Sequence, residues 1–137
     1  MANRYPLVLN GTTVQELQSG DDLIGLTNWG ALDADQTWSG AQRGTVTTDN
    51  DGSFDMNVTN NFSCTPTGNI TLTFTNITSG QSGFVLLINN SNYTISAAAT
   101  TKVVSGALSA MSASGTYLLS YFSNGTNVYI VNSGALS

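Results

Sequence analysis

The sequence predicts an all-β protein: an N-terminal hairpin segment followed by an antiparallel β-sandwich or jelly-roll-like domain. Three observations predict it. Gly, Ser, Thr and Asn supply 64 of 137 residues; Thr favours strands, and the other three favour turns. Helix formers are scarce, with one Glu, one Lys, two Arg and five Gln. Short apolar runs recur between turn signals, the pattern of stacked or rolled sheets. Five Phe, five Tyr, two Trp and many β-branched residues set the chain apart from disordered sequences of similar polarity.

Residues 1–28 read as one unit. Tyr5-Pro-Leu-Val-Leu9 and Thr12-Thr-Val-Gln-Glu-Leu17 flank Asn10-Gly11, and an Asn-Gly pair between two strand-like runs signals a hairpin. A two-stranded ribbon is marginal alone, which suggests an attachment element. Residues 29–44 read as a connector, with Trp29 and Trp38 as packing anchors. Residues 45–137 form the sandwich domain.

Within that domain, Thr45–Thr48 and Ser53–Asn57 flank Asp49-Asn-Asp-Gly52, an expected hairpin. Asn69–Thr75 alternates strictly, which puts Ile70, Leu72 and Phe74 inside and the threonines outside. Phe84–Ile88 and Tyr93–Ser96 are further strands. Tyr117–Phe122 and Val128–Val131 flank Ser123-Asn-Gly-Thr126, a second Asn-Gly hairpin. The stretch 97–114 is small and polar, and reads as a long loop with one weak strand.

The Phe84, Tyr117 and Val128 strands are apolar on both faces. A domain of this size has one core, so the second face is expected to meet another subunit. The expected subunit-facing residues are Leu87, Leu119, Tyr121 and Tyr129.

Charge argues against most chemistry. All eight acidic residues and both arginines precede Met56; beyond it Lys102 is the one charged residue, and histidine is absent from the chain. General acid–base catalysis and activated nucleophiles depend on such groups, so the expectation is a non-enzymatic protein without a cofactor. A net charge of −5 without a basic stripe excludes an electrostatic grip on nucleic acid, and no polybasic patch suggests a membrane surface. The apolar run Phe84–Ile88 is too short to span a bilayer, and the first residues carry no signal-peptide core. Cys64 has no disulfide partner within the chain and reads as a small buried residue.

Other patterns carry chemistry less well. Asp49-Asn-Asp-Gly-Ser-Phe-Asp55 has the Asp-x-Asp spacing of calcium loops but lacks the bidentate Glu, and reads as an acidic turn. Asp21/Asp22 and Asp33/Asp35 could imitate a glycosidase dyad but sit in turn-like sequence. Eight Asn-x-Ser/Thr triplets match what this composition produces by chance to within about a factor of two. Tyr93, Tyr117, Tyr121 and Tyr129 could stack on sugars, with Tyr93 the candidate glycan contact, although packing is the simpler use of such rings.

Asn3-Arg-Tyr-Pro-Leu-Val-Leu9, Val14-Gln-Glu-Leu17 and Ser19-Gly-Asp-Asp-Leu23 resemble the N-terminal segment of fibre-like virion structural proteins of tailed bacteriophages, of the marine and cyanobacterial phage type. Gln36–Val46, Asn61-Phe-Ser63, Gly68–Leu72, Ser79–Gly83 and Gly125–Tyr129 look like a β-module recurring in phage fibre and tail proteins. The resemblance implies a β-rich homotrimer on the virion surface, made in the host cytoplasm, whose N-terminal residues fix it to capsid or tail proteins. Arg4, Tyr5, Pro6, Leu7 and Leu9 are the docking residues it suggests. It implies no catalytic residue. A short fibre, a knob or a capsid decoration fits a chain without shaft repeats, and a module binding host-surface glycan is the alternative.

Overall fold

A computed structural model describes residues 7–10, 13–16, 40–41 and 43–136. The chain divides into two units, Met1–Ala41 and Gln42–Ser137. In the first, β1 (Leu7–Asn10) pairs antiparallel with β2 (Thr13–Glu16), with Asn10 opposite Thr13. The hairpin expected at Asn10-Gly11 is therefore present. Trp29 and Trp38 lie outside the described residues.

The second unit is built from coils that alternate between two sheets. β3 (Val46–Thr48), β5 (Asn61–Cys64) and β7 (Ser79–Asn89) lie side by side and parallel in one sheet. The strands between them, β4 (Ser53–Asp55), β6 (Ile70–Thr75) and β8 (Ile95–Ala97), lie parallel in the other. The larger sheet then continues with β10 (Gly115–Asn124), β11 (Val128–Leu136) and β9 (Thr101–Val103), in the order β3-β5-β7-β10-β11-β9. β10 is antiparallel to β7 and β11, while β9 is parallel to β11. The all-β class holds, but the pairing is mixed, with solenoid-like stacking, where antiparallel pairing was expected. Each corner passes the chain to the opposite sheet, so the next strand returns beside its predecessor in the same direction.

The segment Asp49–Gly52 shows how a hairpin signal becomes a corner. The Asn50 side-chain oxygen accepts the Thr65 N–H at 2.7 Å, and Asp51 accepts the Ser53 N–H at 2.7 Å. Gly52 is left-handed (φ 85°), and a Cβ there would lie 3.0 Å from the Thr71 carbonyl oxygen. These contacts send β3 and β4 into different sheets. The Asn-Gly signal at 124–125 does make a hairpin: Asn124 N–H donates to the Asn127 carbonyl at 3.1 Å, and Gly125 has φ 89°. The stretch 97–114, expected to be mainly loop, holds β9 and a single-turn helix, α1 (Ala107–Met111), which buries Ala107 and Met111.

The inner faces share one core. β6 alternates as its sequence demands, with Ile70, Leu72 and Phe74 buried. An aromatic chain links the sheets: Phe62 to Phe54 and Phe54 to Phe74, ring centroids 5.1 Å apart in each case, then Phe74 to Tyr121 at 5.0 Å. Such tilted pairs add to the burial term that dominates stability. Fully buried Asn89 bridges β7 to α1, its Nδ2 donating to the carbonyls of Tyr93 (2.8 Å) and Met111 (3.0 Å) while Oδ1 accepts the Tyr93 N–H (3.0 Å).

Candidate assembly surface

Alternation along β7, β10 and β11 gives the larger sheet two apolar faces. Val85, Leu87, Tyr117, Leu119, Tyr121, Val128 and Ile130 point into the core. Their neighbours point outward into solvent: Phe84 is 49 % exposed, Phe122 52 %, Tyr129 46 % and Val131 55 %. Leu118 and, on the edge strand β3, Val46 are exposed on the same face.

Strand register arranges these side chains in rows. Val46 lies beside Asn61, Asn61 beside Phe84, Phe84 beside Ser120, and Ser120 beside Val131. In the flanking rows Ser82 lies beside Phe122 and Phe122 beside Tyr129, while Ser63 lies beside Leu86 and Leu86 beside Leu118. Open hollows lie between the large side chains, and two of them flank the Phe84–Ser120 pair. One of about 330 Å³ is bounded by Val46, Asn61, Phe84, Leu86 and Leu118. The other, about 500 Å³, is bounded by Val104, Ser120, Phe122, Tyr129, Val131 and Lys102.

The face is almost free of charge. Lys102, level with Tyr129 on the outermost strand, is the one ionic side chain in these rows, and its Nζ donates to the Ala99 carbonyl at 2.6 Å. Apolar surface of this kind drives association without an ionic contribution, and salt screening has little to act on.

The four residues expected to face a subunit separate here. Leu87, Leu119 and Tyr121 are buried inside the protomer, so that expectation is corrected by one position along β7 and β10. Tyr129 does lie on the outer face. Asn124 Nδ2 donates to its hydroxyl at 3.1 Å. Tyr93 is half-buried at the corner before β8, with its backbone held by Asn89. Leu7 and Leu9 lie on β1, opposite Glu16 and Val14. Arg4, Tyr5 and Pro6 lie outside the described residues, as do Asp21, Asp22, Asp33 and Asp35.

The acidic loop is used structurally. Asp55 accepts from Asn76 Nδ2 (2.7 Å) and from the Asn57 N–H (2.9 Å), and these bonds lower its pKa. Burial, followed by the neighbouring Asp51 carboxyl, raises that of Asp49. Among the described residues no three His, Cys, Asp or Glu side chains gather where they could hold a metal ion. Cys64 is fully buried, and burial, with smaller contributions from Asp49 and Asp51, pushes its thiol up to about 12. The Tyr121 hydroxyl is likewise pushed up to about 12 by burial.

Sequence reasoning found the two-faced strands but chose the wrong face as outer on β7 and β10. In β7 the outward set Phe84, Leu86, Ile88 is wholly apolar, whereas the inward set contains Asn89. Val85 and Leu87 are apolar as well, so the pattern within Phe84–Ile88 does not choose between the faces, and the partners that bury Asn89 in α1 and the β7–β8 corner are invisible in it. Comparison of the chain with protein-family models, with curated proteins and with solved structures finds no match.

Proposed function

We propose that this chain is a non-enzymatic structural protein of a tailed-phage virion, a short fibre, knob or decoration on the particle surface that assembles with copies of itself and docks through its N-terminal hairpin. The observation that carries the assembly part is the outer face of the larger sheet, where Phe84, Phe122, Tyr129 and Val131 stand about half exposed. Scattered exposed apolar residues are ordinary, but a contiguous patch marks an interaction site. The phage assignment is supported by the sequence motifs, which also suggest three copies, capsid or tail proteins as partners, and synthesis in the host cytoplasm. The non-enzymatic reading is supported by the state of the available groups. The Cys64 thiol is sealed in the core and the carboxylates of Asp51 and Asp55 accept backbone hydrogen bonds.

Immunogold labelling of virions with antibody to this chain tests the assignment. Gold on the particle surface is expected; particles free of the protein overturn it. Deleting residues 1–28 is expected to leave a folded assembly that no longer joins the particle.

One observation favours a second reading, a glycan-binding module. Tyr129 offers an exposed ring beside the Asn124 amide, a pairing suited to uncharged sugars. A glycan array without hits retires that reading.

A further inference from the structure

We infer that the occupant of the outer face is a second copy of this chain, packed face to face about a two-fold axis parallel to the strands, with Phe84 of each copy seated over Ser120 of the other. This rests on the self-assembly proposed above and replaces the three copies suggested by the sequence motifs with two.

The relief of the face carries the argument. Its central row reads large, small, large, small, large: Val46, Asn61, Phe84, Ser120, Val131. Stacked sheets lie about 10 Å apart, and their side chains must interdigitate to fill that gap. The tallest side chains, the aromatic rings, must therefore meet small ones. A two-fold axis along the strands exchanges one half of a sheet with the other. The sheet has six strands, so an axis through its middle passes between β7 and β10. It places β7 of one copy over β10 of the other, and β5 over β11. Phe84 then meets Ser120, Val131 meets Asn61, and in the neighbouring row Phe122 meets Ser82. Phe84 and Phe122 thus each sit on a serine without any change to the protomer, and in the other flanking row the half-buried Leu86 meets Leu118.

Area and charge agree with this occupant. Phe84, Phe122, Tyr129, Val131, Leu118 and Val46 together leave on the order of 500 Å² of side-chain surface in water, taking ~200 Å² for a whole aromatic side chain. The small polar residues between them extend the face towards the ~800 Å² that each partner of a stable interface covers. Identical copies that meet on a face oppose like charges wherever the face is charged. Here the two Lys102 side chains stand on β9, at opposite edges of the stack, where they reach solvent.

Size swapping in the full-length chain tests the contact, with mass and dissociation constant measured by light scattering and sedimentation. Wild type is expected to be a dimer. Phe84→Ser leaves a hole and Ser120→Phe forces two rings together, so each single variant is expected to weaken the dimer by ~100-fold or more. Phe84→Ser combined with Ser120→Phe restores large-on-small packing and is expected to return the dissociation constant to within about tenfold of wild type. Val58→Ser, at an exposed residue in the turn after β4, serves as the control and is expected to change nothing. Thermal unfolding of each variant confirms that the protomer has folded. A trimeric mass overturns the two-fold contact and leaves the proposed virion role standing; a monomer overturns the self-assembly itself. A dimer insensitive to the single swaps, or unrescued by the double swap, overturns the contact.

Discussion

The Tyr121 hydroxyl donates to the Asn60 carbonyl oxygen at 2.9 Å, across 61 positions of sequence. The same oxygen accepts the Phe84 N–H at 3.0 Å. β10, β7 and the turn before β5 therefore converge on one atom, and Gly83 is what lets them. A Cβ at position 83 would lie 1.7 Å from that oxygen and 2.8 Å from the Tyr121 hydroxyl.

Gly83→Ala is accordingly expected to destabilise the protomer by about 3 kcal/mol, because the obstacle is backbone and cannot rotate away. Tyr121→Phe keeps the ring and loses one hydrogen bond, so about 1 kcal/mol is expected. Urea unfolding of both variants measures the difference. Equal and small effects would show that the approach at Gly83 is looser than the geometry indicates.

The parity of β10 is open to a paired test. Leu119→Asp places an unpaired charge in the core and is expected to cost at least ~3 kcal/mol. Leu118→Asp places the same charge on the outer face. Its protomer is expected to unfold at nearly the wild-type midpoint while its assembly dissociates. Circular dichroism read beside sedimentation separates the two outcomes.

Asn89→Leu removes the amide that joins β7 to α1. It strands the Met111 carbonyl and both backbone groups of Tyr93, so a loss of about 2 to 4 kcal/mol is expected. Hydrogen exchange is expected to rise first in 107–113.

Alkali is expected to unfold the protein more readily than its composition suggests. Cys64 and Tyr121 titrate at about 12 in the folded chain, above their ordinary values of 9.0 and 10.0. Their protonated forms favour the native state. That contribution is complete below pH 9 and is lost as pH rises through 12. The melting temperature is expected to fall across that window, and Cys64→Ala is expected to flatten the lower part of the fall. On the acid side two carboxylates oppose each other. Asp55, with its pKa lowered, contributes stability above the ordinary carboxylate range that is lost as pH falls. Asp49, with its pKa raised, destabilises the native state when charged and relieves that as it protonates.

Local pairing was legible from the sequence. The strands around Asn10-Gly11 and Asn124-Gly125 are hairpins, and the inward set of β6 is as its alternation demands. What was not legible depends on partners distant in sequence. The Asn50 side chain ties its corner to Thr65, 15 residues away, and that bond turns a hairpin signal into a passage between sheets. The apolar surface was legible as a consequence of two-faced strands, but not its side, because strands apolar on both faces carry no parity signal.

The coil path also sets the order in which the chain can fold. Among the described residues of the second unit, β10 and β11 are the one pair of sheet neighbours joined by a turn of a few residues. The parallel neighbours β3 and β5 are 15 positions apart, β6 and β8 are 25 apart, and Ser79 meets Asn124 across 45. Each of those closures loses entropy before its contacts form, so the Ser123–Thr126 reversal is the natural nucleus and the earlier windings are laid onto it afterwards. Synthesis runs from the N-terminus, so the earlier windings emerge before that reversal and wait for it before they lock.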